Sequence, residues 1–187
     1  MKKKLCVLAV CIAATVVFML AAMVSSGNTN VAMAEEQAKE AKPKKAAVER
    51  SRKAVQTLDN IFKQTIVLVT DKYVHDEDDF AAGSAAVLLF KNISESGDNK
   101  VRLIDATGEP YDDENVAKDD FEREGIKRLK AGDQIYEEIV SKDGKHQLRT
   151  LTAVPVVMQK CVMCHAHYAD AKKGEPIGAI SYIVPIE

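Results

Sequence analysis

The chain has 187 residues, of which 47% are hydrophobic and 29% are charged, a balance typical of a folded globular domain rather than a collagen-like or wholly disordered chain. This length predicts about one domain. Because 26 basic residues stand against 28 acidic ones, the composition provides no strongly basic surface for nucleic acid.

Residues 1–34 are predicted to be a secretory signal peptide. The lysines at positions 2–4 precede the apolar run 5–24, and Ala32-Met33-Ala34 offers small residues for cleavage. Because an apolar run of this length can also span a bilayer, an N-terminal anchor formed by residues 5–24 is the alternative. Both interpretations place the rest of the chain outside the cytoplasm, and we expect a periplasmic location.

The exported part is predicted to be a polar spacer, residues 35–45, followed by one domain, residues 46–187. A first helix is expected over residues 46–73, where apolar residues recur at helical spacing. A second helix is expected from a cap at residues 78–79 to Ile93, after which a Ser- and Gly-containing stretch ends it.

Four strands and a short helix are expected after these two helices. The strands are predicted at residues 101–106, 135–141, 146–157 and 177–186, and the helix at residues 121–129. Asp143-Gly144 favours a tight hairpin turn between the second and third strands. This order predicts an α+β fold with an antiparallel sheet and N-terminal helices.

The cysteines carry the most specific signal in the sequence. Cys6 and Cys11 lie in the leader, whereas Cys161 and Cys164 are separated by two residues and are followed directly by His165. The pattern Cys-Val-Met-Cys-His is typical of c-type haem attachment. Two thiols at this spacing can form thioether bonds to one porphyrin, and the adjacent imidazole can bind its iron. We therefore expect one covalent haem c with His165 as the proximal ligand.

The same residues allow other interpretations. A thiol–disulfide oxidoreductase would use Cys161 and Cys164 as a redox pair, but such pairs open a helix beside a βαβ crossover, and residues 150–158 are predicted to be a strand. A structural disulfide would close a very short loop and restrict the unfolded chain little. A zinc site would require a fourth ligand, for which His167 is the candidate.

Several short motifs follow one another in a characteristic order. They are Val101-Arg102-Leu103, Asp120-Phe121-Glu122-Arg123, Gly144, Val154-Pro155-Val156, the haem motif, Gly174 and Ile177-Gly178-Ala179. With this order the chain resembles the Tll-type haem domain family over residues 48–187. The resemblance implies an exported domain with a PAS-like fold and one covalent haem, occurring alone or as the sensing part of a signalling protein. The chain departs from the family at residues 108–112, which lack the arginine found there in relatives.

The sixth coordination position of the iron has several candidates. Some members of the family use a cysteine of the N-terminal helical part, and residues 35–160 contain none. His75 is the first choice, because it follows the long helix where relatives position this ligand; a solvated histidine in an acidic run is the alternative. The other candidates are His146, His167, Met158 and Met163, or an open site.

The ligand set decides which function the sequence predicts. Two protein ligands suit electron transfer, whereas an open or displaceable position lets nitric oxide or carbon monoxide bind. We expect a periplasmic monohaem cytochrome c acting with a redox partner protein, and the alternative is a sensor subunit that binds a small gas. No enzymatic role and no nucleic acid are expected. The apolar side chains expected to line the haem pocket are Val154, Val156, Val157, Ile177 and Ile180, and packing in the ordinary core of the sheet is the alternative.

Overall fold

The computed structural model describes residues 42–76, 80–162, 166–172 and 174–187, and residues 43–187 form one compact unit. The predicted leader, residues 1–34, lies outside the described residues. Among the helices that are described, none combines the length and the apolar character needed to cross a bilayer.

Three α-helices and two 3-10 helices lie in the described part of the chain. The α-helices are α1 (Lys45–Tyr73), α2 (Ala82–Ser96) and α3 (Asp120–Lys130), and the 3-10 helices are Gln159–Val162 and Ala166–Asp170. All three predicted helices are present, in the predicted order. The two 3-10 helices were not predicted, because single turns leave too few residues for a periodic pattern.

Helix α2 extends past its predicted end. We expected the helix to stop at Ile93, but it continues to Ser96. The reason is the Ser94 hydroxyl, which donates to the carbonyl oxygen of Val101 (3.0 Å) and accepts from its N–H (2.9 Å). A serine that usually favours the end of a helix here joins the last turn of α2 to the start of the first strand.

The four strands form one antiparallel sheet, as the sequence predicts. They are β1 (Lys100–Asp105), β2 (Ile135–Lys142), β3 (Lys145–Pro155) and β4 (Pro176–Pro185), in the order β1-β4-β3-β2. Asp143 and Gly144 join β2 to β3 with φ angles of 52° and 74°. Positive φ at both positions is typical of a two-residue hairpin turn, so the Asp-Gly prediction is confirmed.

The helices cover both faces of the sheet. Alternate residues of β4 face opposite ways, so that Ile180 and Tyr182 pack with helices α1 and α2, whereas Ala179 packs with α3. In β3, Leu148 likewise packs on the side of α1 and α2, and Leu151 packs on the side of α3. The result is a three-layer α+β arrangement whose sheet is buried at its centre.

Helix α3 is held to β1 by a buried ion pair. Glu122 is 3% exposed, and its carboxylate accepts from the Arg102 guanidinium (2.6 Å) and from the Lys118 N–H (2.8 Å). The helix begins after Asp119, whose side chain accepts from the Glu122 N–H (3.0 Å) as an N-cap. The Phe-Glu motif of the sequence therefore connects α3 to the sheet.

Replacing Arg102 with methionine is expected to lower the free energy of unfolding by about 3 kcal/mol, because it leaves the Glu122 carboxylate buried without its cation. The measurement is the urea midpoint at pH 7. Arg123→Met is the matched control, since Arg123 pairs with Asp120, whose side chain is 99% exposed, and it should stay close to the wild-type midpoint. Equal midpoints for the two variants would contradict a structural role for the buried pair.

Candidate functional site

A cavity of about 590 Å³ lies between the first two helices and the end of the sheet. Ligand sites of small molecules usually fall in the range of roughly 300–1,000 Å³. Its wall is mainly apolar, and the apolar side chains that line it are Ile66, Val67, Val74, Phe80, Ala81, Ala82, Val87, Leu88, Leu103, Ile104, Val154, Pro155, Val157 and Ile177. The cavity is therefore suited to a large and mainly apolar ligand.

Helix α1 contributes one long side of this cavity. Thr70 follows Val67 by three residues and Ile66 by four, so these side chains share a face of the helix, and Val74 continues this face directly after the last helical residue. The apolar period that predicted the helix shares only Ile66 with this face, and such a period does not distinguish a face that packs on other side chains from one that borders a cavity. The contribution of α1 to the site was therefore missed from the sequence.

The first cysteine of the motif lines the cavity. Cys161 lies in the 3-10 helix Gln159–Val162, is half-buried, and donates its backbone N–H to the carbonyl oxygen of Met158 (3.1 Å). Met163, Cys164 and His165 lie outside the described residues, as does the side chain of His167. The structure thus places one of the three predicted haem-binding residues, and it places this residue at the cavity wall.

Lys160 holds the start of the motif against the end of α1. Its ammonium donates to the carbonyl oxygens of Asp71 and Val74, both at 2.8 Å. The last carbonyl groups of a helix lack partners within the helix and form the negative end of its dipole, so a lysine stabilises them. This contact fixes Cys161 beside the C-terminal end of α1.

A partly buried polar cluster lies near the middle of α1, and we call it the Asp59 cluster. One carboxylate oxygen of Asp59 accepts from the Thr152 hydroxyl (2.5 Å) and from the Tyr182 hydroxyl (3.0 Å), and the other accepts from the Lys63 ammonium (2.9 Å). Thr152 and Tyr182 are almost fully buried, whereas Lys63 lines the cavity. The cluster thus connects the core of the sheet with the cavity.

Burial, together with the neighbouring Asp59 carboxylate, raises the pKa of Tyr182 well above its usual value. In the unfolded chain the tyrosine ionises near pH 10, so above that pH the unfolded state loses protons that the folded state keeps. The stabilisation is fully present below pH 10 and is lost as the pH rises beyond it. Burial also raises the pKa of Tyr168 to about 12, which adds a second contribution of the same sign.

Tyr182→Phe is expected to reduce the loss of stability at alkaline pH by up to about 1.4 kcal/mol per pH unit, because one titrating group is removed. Urea unfolding between pH 8 and pH 11 measures this slope. Tyr73→Phe, at a side chain that is 73% exposed, is the control and should keep the wild-type slope. A wild-type slope in Tyr182→Phe would show that this tyrosine does not titrate differently in the folded state.

The candidates for the sixth iron ligand occupy different places. His75 is exposed, directly after Val74, which lines the cavity. His146 is paired with Ser141 near the start of β3, about 30 Å along the strand from Pro155. Met158 is half-buried between β3 and the 3-10 helix. Within the described ranges, no group of three His, Cys, Asp or Glu side chains has the arrangement of a metal site.

Three of the five apolar residues expected to line a haem pocket border this cavity. Val154, Val157 and Ile177 line the cavity. Ile180 instead is fully buried in the core packed against α1 and α2. Val156, half-buried after β3, is not among the described lining residues.

Fold and cavity together define an α+β domain with a mainly apolar cavity that is lined by a cysteine. The chain belongs to the Tll0287-like family, whose model matches residues 24–185. This match agrees with the resemblance to the Tll-type family that the motifs indicate. Comparison with curated proteins and with solved structures gave no match.

Proposed function

We propose that this protein is a periplasmic monohaem c-type cytochrome with a PAS-like fold that acts in electron transfer or redox response. Cys161 and Cys164 would attach the haem, and His165 would be the proximal ligand of the iron. The observation that carries the proposal is the position of Cys161, which lines an apolar cavity of about 590 Å³. A motif typical of haem attachment thus coincides with a space suited to a large flat ligand.

The residues of the cavity fit a porphyrin. The macrocycle is mainly apolar, and Leu103, Val154 and Ile177 offer it aliphatic contacts that exclude water. Haem c, when bound, supplies one-electron redox chemistry, and the protein tunes its potential by burial and hydrogen bonding. The Lys160 contacts would keep the attachment segment in place against α1.

The setting of Cys161 supports haem attachment over a thiol–disulfide activity. Redox-active Cys-x-x-Cys pairs open an α-helix next to a βαβ unit. Cys161 instead lies in a 3-10 helix that follows antiparallel β3. A thiol–disulfide oxidoreductase would leave two alkylatable thiols after reduction, whereas haem thioethers would leave none.

A second candidate function is that of a haem-based sensor subunit, which binds a small gas or responds to redox state. The observation that favours it concerns the wall of the cavity, where no histidine and no methionine occurs among the described lining residues. A protein side chain at the sixth position would then have to come from elsewhere, and a displaceable position lets carbon monoxide or nitric oxide bind.

Two measurements on the exported protein test these proposals. Acid–acetone extraction should leave the colour on the polypeptide, and a colourless polypeptide would contradict haem attachment. Carbon monoxide added to the reduced protein then separates the two functions. A rapid shift of the Soret band supports the sensor, and an unchanged spectrum supports a carrier with two protein ligands.

A further inference from the structure

We infer that Lys63 and Lys91 form the subsite for the two propionate carboxylates of the haem. The inference rests on the proposed function and adds to it the orientation of the haem in the cavity. Cys161 would hold the vinyl edge of the porphyrin at one end of α1, and the two lysines would bind the carboxylate edge at the other end of the cavity.

The cavity has two chemically different ends along α1. Cys161 lies at the end near Val74, because the adjacent Lys160 donates to the Val74 carbonyl oxygen. Lys63, which also lines the cavity, precedes Tyr73, the last residue of α1, by a rise of about 15 Å along the helix. The cysteine and this lysine therefore border opposite ends of the cavity.

Lys91 of α2 lies at the same end as Lys63. The ring centroids of Phe62 and Phe90, the residues directly before the two lysines, are 5.0 Å apart. Both lysines line the cavity. Two cationic side chains from neighbouring helices thus border the end of the cavity that is remote from Cys161.

The positions of the substituents on haem determine which edge of the porphyrin would face the two lysines. The vinyl groups and the propionate groups lie on opposite edges of the macrocycle, so a thioether bond at Cys161 directs the carboxylates towards the lysines. A carboxylate that leaves water for a mainly apolar cavity requires a cationic or hydrogen-bonding partner. Lys63 and Lys91 supply that partner, and charge-assisted hydrogen bonds of this kind are the stronger ones.

The Asp59 cluster positions Lys63 for this role. Asp59 accepts from the Lys63 ammonium while its other oxygen is held by two buried hydroxyl groups. A lysine ammonium has three N–H donors, and the Asp59 contact occupies one of them. Lys160 differs from Lys63 in the number of donors that are already used. Two of its N–H groups donate to the backbone carbonyl oxygens of Asp71 and Val74.

The haem-loaded variants Lys63→Gln, Lys63→Arg and Lys72→Gln test the inference. We expect Lys63→Gln to move the propionate bending band of the resonance Raman spectrum to lower frequency, because the charge-assisted hydrogen bond is lost and a neutral amide donates at best a weaker one. The midpoint potential should fall as well, because a nearby positive charge is removed. Lys63→Arg should restore both values towards wild type. Lys72→Gln, on the same helix with a side chain that is 64% exposed, is the charge-matched control and should change neither.

An unchanged band and potential in Lys63→Gln would overturn the inference, while retained covalent haem in the same sample would leave the proposed function intact. Absence of covalent haem from the wild-type protein would overturn both. If Lys63→Gln does not fold, Lys91→Gln tests the same subsite from α2 with the same two measurements. A Lys91→Gln spectrum identical to that of Lys72→Gln would then contradict the subsite.

Discussion

The double variant Cys161→Ala/Cys164→Ala is expected to retain no covalently bound haem. Thioether bonds require a cysteine sulfur, and residues 12–187 contain no other cysteine. The expected change is a complete loss of the absorbance that remains on the polypeptide after acid–acetone extraction. Each single variant should keep one thioether bond and a reduced haem content.

The predicted leader provides a control with the same chemical change. Cys6→Ala/Cys11→Ala removes two cysteines outside the motif, and the haem content per polypeptide should equal that of the wild type. Covalent haem in Cys161→Ala/Cys164→Ala would show that the attachment site is elsewhere. Equal losses in both double variants would indicate an effect on export or maturation rather than on the attachment site.

Asp59→Ala is expected to lower the free energy of unfolding by about 3 kcal/mol. The substitution removes the common acceptor of the Thr152 and Tyr182 hydroxyls, both almost fully buried, and the ionic partner of Lys63. Buried donors without an acceptor cost about 1–3 kcal/mol each, and the partial exposure of Asp59 and Lys63 places the total at the lower part of that sum. Urea unfolding at pH 7 measures the change.

Two further variants identify the source of this loss. Asp59→Asn keeps a carbonyl oxygen as an acceptor, so it should be less destabilising than Asp59→Ala. Asp71→Ala removes an exposed aspartate from the same helix, where it pairs with Lys72, and should leave the midpoint close to wild type. If Asp59→Ala unfolded at the same urea concentration as Asp71→Ala, the Asp59 cluster would not stabilise the fold.

The regular elements are predictable from local patterns. The apolar period of residues 46–73 predicts α1 to within one residue of Lys45–Tyr73, because a helix that buries one face must repeat every three or four residues. The Asp143-Gly144 pair predicts the hairpin, because both residues adopt the positive φ angles that such turns require. The end of α2 is not predictable in this way, since it depends on a hydrogen bond between Ser94 and a residue of β1.

The candidate site is predictable only where its chemistry is local in the sequence. The spacing of Cys161, Cys164 and His165 identifies the attachment motif without any knowledge of the fold. Asp59 bonds to Thr152 and Tyr182, which are 93 and 123 residues away, so no local pattern reveals the cluster. The role of Lys63 is not predictable either, because in the sequence it looks like any lysine on the surface of a helix. Only the folded structure brings the sheet and α2 next to it.

The most direct test of the account is the intact mass of the protein after export by a host that attaches haem c. We predict a mass that exceeds that of the polypeptide by one haem group and that persists under denaturing conditions. A mass equal to that of the bare polypeptide would contradict the account.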